Sequence, residues 1–281
     1  MAHTVEHKPT LGEMIKPAEL IELRGTGPLT LQDRRVFNLL IENAWGPHIA
    51  DPGKVFTIAT ADLKTGDARN SKLEETVERL MRVIVRTQDP DGGETRLQLL
   101  STNTIKTTAN SGTLSYSFPP RLAELVKEST IFAKLDLEVM HSFSSKYAFA
   151  LYEHVSRRVR LRYKFTEPLT LEEMRDMLGV ETGKLGLYKN LWRKAIEPAL
   201  TEVNAITPYQ VTIAPRKEGR KVVGFIWGWS VKDVDGMKQS YTELQRPRVG
   251  RKERLEGTAE HQVMTEGLDP TAIPEEPSGT P

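Results

Sequence analysis

Apolar residues recur at helical spacing in several stretches and alternate in shorter ones. The order of these stretches in the first half of the chain is repeated in the second. From Leu31 to Trp45, the residues Val36, Phe37, Leu40, Ile41 and Ala44 make one apolar stripe, and Thr30 is placed to cap the helix. A shorter helix is predicted over Ala18–Leu23 and another over Ala61–Lys64, with a strand-like run at Val55–Ala59. Ser71 and Glu74 have capping-box spacing, and Leu73, Val77, Leu80, Met81 and Ile84 share the face of the helix they open. Asp89-Pro90-Asp91-Gly92-Gly93 reads as a hairpin turn, with Arg96–Leu100 as the returning strand. Leu114–Phe118 alternates as a third strand, stopped by Pro119 and Pro120, and Arg121–Lys127 is helical.

The second half repeats this order. Ser144 can cap a helix running to about Arg160, with Ala148, Leu151, Tyr152 and Val155 inward. Thr170 and Glu173 form a capping box for Leu171–Leu178, which Gly179 ends in a left-handed cap. A polar turn through Gly183 leads into Leu187–Asn204, where Tyr188, Leu191, Ala195, Ala199 and Val203 fall on one face. Pro198 inside that run removes a helix hydrogen bond and predicts a kink. Tyr209–Ile213 and Val223–Val231 alternate, and Pro215–Lys221 between them reads as a hairpin tip. Residues 1–16 lack periodicity. After Asp233 the pattern fails, and Pro, Gly, Glu and Thr predict a disordered tail.

The fold class that follows is α+β, mainly helical: two tandem winged-helix domains, each a helix-turn-helix plus a β-hairpin, and a disordered C-terminal tail. The expected division is a flexible leader at 1–16, an N-terminal winged helix at 17–138, a C-terminal winged helix at 139–232 and the tail at 233–281.

Charge sharpens this picture. The net charge is only +1, but residues 141–232 carry sixteen Lys and Arg against nine Asp and Glu, a surplus of seven. The stretches on either side carry a deficit. A basic block on a helix-turn-helix suits a phosphate backbone, whereas a solvated basic face is the other reading of the same charge. Lys184, Lys189, Asn190, Arg193 and Lys194 lie on the polar side of the second helix pair. Arg or Lys can read guanine and Asn adenine at the base edge. Arg216, Lys217, Arg220 and Lys221 at the hairpin tip suit phosphate contact. In the first half Lys72, Arg79 and Arg82 share a helix with Glu74, Glu75 and Glu78, which predicts weaker DNA contact there, or contact with protein. Arg157, Arg158, Arg160 and Arg162 have two readings, a DNA role or cations at the negative end of a helix.

Catalytic signals are poor. The chain has no cysteine, no phosphate-binding loop and no closely spaced pair among its six histidines. Tyr147, Tyr152 and Tyr188 stand at packed helix positions. No catalytic residue, cofactor or metal is expected, nor an enzyme. No apolar run approaches membrane length, so a cytoplasmic protein without membrane contact is expected.

Residues 144–230 resemble the iteron-binding plasmid replication initiators, the Rep proteins built from tandem winged helices. The matching segments are Ser145-Lys146-Tyr147-Ala148-Phe149-Ala150-Leu151-Tyr152-Glu153, Leu171 to Gly179, Glu197 to Asn204 (which accounts for Pro198) and Gly219-Arg220-Lys221-Val222. The resemblance implies a DNA-binding protein that engages direct repeats at a plasmid origin as a monomer and helps melt an adjacent segment. It implies the host initiator ATPase and replicative helicase as partners. It also implies a dimer, held by the first domain, that represses the protein's own gene. A sequence-specific transcriptional regulator, and a replication nickase or primase, are the competing readings.

Overall fold

Most of the predicted elements form, and they are joined by strands whose polar sequences carry no apolar alternation. The computed structural model describes residues 2–63, 70–88, 91–107, 112–161 and 163–255. They fall into a unit at Met1–Leu244 and a second at Gln245–Pro281. In the first unit, β1 (Glu13–Pro17) leads into α1 (Ala18–Ile21) and α2 (Leu31–Asn43). Then come β2 (Phe56–Ala59), α3 (Asn70–Arg82), and the hairpin of β3 (Val85–Gln88) with β4 (Glu94–Leu97). β5 (Thr102–Thr107), β6 (Gly112–Ser117), α4 (Pro120–Glu128), β7 (Phe132–Asp136), α5 (Leu137–Ser142) and α6 (Lys146–Arg158) follow. The second helix-turn-helix is made of β8 (Thr166–Thr170), α7 (Leu171–Leu178), α8 (Tyr188–Leu191), a π-helical turn at Trp192–Ile196, and α9 (Glu197–Ile206). The wing is β9 (Tyr209–Glu218) with β10 (Lys221–Val231), followed by α10 (Val234–Leu244). The second unit contains α11 (Arg251–Leu255).

All sheets are antiparallel. β2, β6 and β5 form one, in that order, and β8, β10 and β9 another; β1 pairs with β7. Leu114–Phe118 therefore belongs to a separate sheet and does not extend the β3–β4 hairpin. Its neighbour β5, Thr-Asn-Thr-Ile-Lys-Thr, has one apolar residue, so nothing in its pattern announces a strand. Ala61–Leu63 is a turn and not a helix, and Lys64 lies outside the described residues.

Residues 13–16 are not part of a flexible leader. Met14 and Ile15 are buried in the core, and Lys16 is buried too. The Lys16 ammonium donates to Glu153 Oε1 (2.6 Å) and to Asn38 Oδ1 (2.9 Å), and Asn38 Nδ2 donates to the same carboxylate oxygen (2.8 Å). Burial pulls the Lys16 ammonium below its usual range, against the pull of the Glu153 carboxylate. This triad ties β1 and α2 to α6.

The expected border at 138/139 is not a seam. Residues 148–156 of α6 are all buried, so the helix is covered on every side. It packs against α1, α2 and β7 on one side and against α7 and α9 on the other. Ser145, not Ser144, caps it by accepting from the Tyr147 N–H. Glu202 of α9 accepts from the N–H groups of both Ser144 and Ser145 (2.7 and 3.2 Å). Arg35 of α2 donates to the carbonyls of Met140, His141 and Phe143, which satisfies the open end of α5.

Nor does structure end at Asp233. Lys232 Nζ donates to Thr207 O (3.0 Å) and Ser240 Oγ (2.6 Å), so α10 is fastened back onto α9. The rest of the predicted tail from Glu256 lies outside the described residues, as does the side chain of Ser71 in its capping box.

Candidate nucleic-acid interface

The second helix-turn-helix is built from local signals. Thr170 Oγ1 accepts from the Glu173 N–H, and the Glu173 carboxylate accepts from the Thr170 N–H, so two of the orphan donors at the start of α7 are satisfied. Hydrogen bonds from the Thr170 backbone and hydroxyl hold the Glu173 carboxyl below its usual range. Met174, Met177 and Leu178 face the core, and Gly179 ends the helix at φ 64°. The turn that follows is stitched by Arg175, whose guanidinium donates to Leu185 O (3.2 Å) and Gly186 O (2.8 Å). Leu185 itself takes φ 50°, a left-handed conformation that a branched residue adopts at a cost.

Behind the second helix, Leu191, Ala195 and Ile196 are fully buried. Tyr188 rests on Phe225 of β10 at 6.0 Å between ring centroids. Lys184, Lys189, Arg193 and Lys194 are exposed and Asn190 half-buried. Pro198 acts as its chemistry requires. The helix widens into the π-helical turn just before it, and α9 restarts with the proline in its first turn. Arg193 and Lys194 therefore sit on a turn wider than the α-helical spacing used to place them.

The wing is longer than the sequence suggests. β9 runs to Glu218 and β10 starts at Lys221, so the tip is only Gly219-Arg220, with Gly219 at φ 59°. Arg216, Lys217 and Lys221 are strand residues, exposed along the hairpin. Arg216 approaches Glu218 at 4.0 Å. Among the described residues no acid lies within ion-pair distance of Lys184, Lys189, Arg193, Lys194, Lys217, Arg220 or Lys221. These cations have not been neutralised by the fold.

The first domain differs. Arg79 donates to Asp33 through Nε (2.9 Å) and Nη2 (3.0 Å), and Asp33 is completely buried. Its guanidinium thus locks α3 to the capping end of α2, and the Asp33 hydrogen bond raises its pKa further. Arg82 pairs with Glu78 at 2.8 Å on the exposed helix surface. The side chain of Lys72 lies outside the described residues. Of the arginines at and after the end of α6, Arg157 and Arg158 are structural, and Arg162 lies outside the described residues. Arg157 and Arg158 each donate to Glu22 Oε1 (2.8 Å), and Arg158 also reaches Glu167 (2.8 Å) and lies over Trp227. Burial pushes the Glu22 carboxyl up, but His154 and these arginines outweigh it and hold it well below the carboxylate range.

Two residues of the Glu197–Asn204 segment have a role that the sequence did not disclose. Glu202 caps α6, as described above. Asn204 pairs with the backbone of Val211, accepting from its N–H (2.8 Å) and donating to its carbonyl (2.9 Å). It fixes where the wing leaves α9. Among the described residues no group of three His, Asp or Glu could hold a metal ion, and no helix is long and apolar enough to cross a membrane.

The first-winged-helix model of the initiator replication proteins matches residues 13–156, and the second-winged-helix model of the initiator Rep proteins matches residues 170–228. Among solved structures, the Pi initiator protein in complex with iteron DNA is similar at 19% identity and a TM-score of 0.55, over 79% of this chain and 98% of that one. No curated protein matches the chain.

Proposed function

Because the chain belongs to the initiator replication protein family, with both of its winged helices present, we propose that it initiates plasmid replication by binding direct repeats, the iterons, at an origin. One observation carries the reading. Cations with no acid at ion-pair distance cluster on the second helix and on the wing of one winged helix, while of the cations on α3 of the first domain Arg79 and Arg82 are engaged by acids and the side chain of Lys72 lies outside the described residues. The second domain is therefore the main duplex contact. Arg193, Lys189 and Asn190 present base-reading groups, and Arg220 and Lys221 on the wing hold phosphates beside them. The first domain supplies a secondary contact and the dimer surface. Finer parts of the proposal are opening of an adjacent A·T-rich segment, recruitment of the host initiator ATPase and replicative helicase, and repression of the protein's own gene by the dimer. The protein acts by binding, without catalysis of its own.

Footprinting on the DNA flanking the gene, at two salt concentrations, tests this. Several evenly spaced direct repeats should be protected, and the protection should fade with salt as counterions compete. Protection of a single inverted repeat would make the protein a repressor. Metal-dependent nicking of supercoiled origin DNA would make it an enzyme.

The wing has its own signature. Arg220→Ala with Lys221→Ala removes two phosphate contacts, so cognate and random duplexes should weaken in the same proportion. The slope of log affinity against log salt should fall by about 2. A loss confined to the cognate repeat would mean that the wing reads bases.

A further inference from the structure

We propose that the loop between α6 and β8 is a stacking platform for single-stranded DNA, built from Tyr163 and Phe165 with Arg160 and Lys164 beside them. Exposure makes the first argument. Tyr163 is 92% exposed, Phe165 61% and Leu161 40%. Among the described residues only Tyr241 is another exposed Tyr, Phe or Trp, while Tyr116, Phe143, Phe149, Tyr152, Phe225 and Trp227 are buried. Two exposed aromatic side chains two residues apart run against the hydrophobic effect unless something covers them. Among the described residues neither ring packs on another ring.

Charge makes the second argument and selects the occupant. Residues 159–166 contain no acid. Arg160 is exposed, with its guanidinium stacked 4.3 Å over the Phe132 ring, which fixes its plane without neutralising it. Lys164 is anchored to Glu167 at 2.8 Å and still half-exposed. Cations spaced between aromatic faces match a strand whose bases have come apart, because each base offers a π-face to the ring and each phosphate a charge to the cation. A base pair in a duplex offers no such face.

Position makes the third. Phe165 O accepts from the Trp229 N–H (3.0 Å), and Thr166 pairs with Gly228, so the loop is pinned to the end of β10 far from the wing tip. Gly228 stands seven residues along β10 from Lys221, roughly 23 Å at the rise of a β-strand. Duplex on the wing and a single strand on the loop can therefore be held together. In a protein that opens an origin, that arrangement retains one strand of the melted segment.

The experiment is fluorescence anisotropy of the full-length protein with a labelled oligo-dT of about 20 nucleotides, beside a random duplex of the same length, at low salt. The wild type should bind both. Tyr163→Ala with Phe165→Ala should weaken oligo-dT binding by at least about tenfold, in line with about 1–3 kcal/mol per stacked base. Duplex binding and the thermal midpoint should stay unchanged, because both rings are outside the core. Tyr163→Phe keeps the stacking face and should keep the affinity. Arg193→Ala should spare oligo-dT, and saturating duplex should leave it bound. Oligo-dT binding that is absent, survives the double substitution or is displaced by duplex would overturn the platform. Only loss of duplex binding bears on the proposed origin-binding function, so the two readings fail separately.

Discussion

Replacing Glu153 with alanine is expected to lower unfolding stability by about 3–5 kcal/mol, a larger effect than that of any DNA-contact substitution proposed above. The carboxylate is buried and is the counter-ion of an equally buried Lys16 ammonium at 2.6 Å. Removing it leaves a cation in the core with only the Asn38 carbonyl as partner. Burial already depresses the Lys16 pKa, and without Glu153 that depression deepens, so the protein must either unfold or deprotonate the lysine. Urea unfolding should show a lower midpoint with the same slope. Glu153→Gln, which keeps the shape and one acceptor, should lose less. Lys16→Met, Asn38→Leu and Glu153→Leu together remove both charges and the buried amide between them, and should recover most of the loss, because desolvation nearly cancels the attraction within such a pair. A midpoint for Glu153→Ala within the range of surface substitutions would mean that the triad is not closed in solution.

Replacing Arg193 with alanine should weaken binding to the cognate repeat by about 1–3 kcal/mol, roughly 5- to 150-fold, and relax specificity at one base pair. Random duplex should weaken much less. Arg193 is exposed, has no acid partner among the described residues, and stands on a helix whose opposite side is held by Leu191, Ala195 and Ile196. The fold should therefore survive the change, which an unaltered thermal midpoint would verify. Titrations of both duplexes at two salt concentrations separate base reading from phosphate contact. Equal losses on the two would reassign Arg193 to the backbone of the DNA.

Much of the second winged helix was legible in the chain because its signals are local. Thr170, Glu173 and Gly179 start and stop α7 through groups three to nine residues apart, and the alternation of β9 and β10 is a property of each strand alone. The clustering of Lys and Arg needed only counting. The resemblance of Ser145–Glu153 and Glu197–Asn204 to plasmid initiators marked both segments without explaining them. The structure supplies the reasons. Ser145 caps α6; Lys146 donates to the Gly27 and Leu29 carbonyls; Tyr152 accepts from the Asp136 N–H; Glu153 holds Lys16; and Asn204 sets the wing.

What tertiary contact decided is of a different kind. β1 and β8 exist because β7 and β10 offer open edges to pair with, and an edge strand with polar residues has no pattern of its own. Lys16 and Arg79 read as solvent-facing or DNA-facing cations until acids far away in the chain, Glu153 and Asp33, turn them inward. The sequence places α6 in the second domain, whereas in the fold its surface is claimed by elements on either side of it in the chain. The sequence by itself determined where helices cap, which strands alternate and where positive charge accumulates, since these depend on neighbours within a turn or two. Which of those charges stay free for DNA was decided only by folding, because a cation is neutralised by whatever carboxylate the fold brings to it, however distant in sequence.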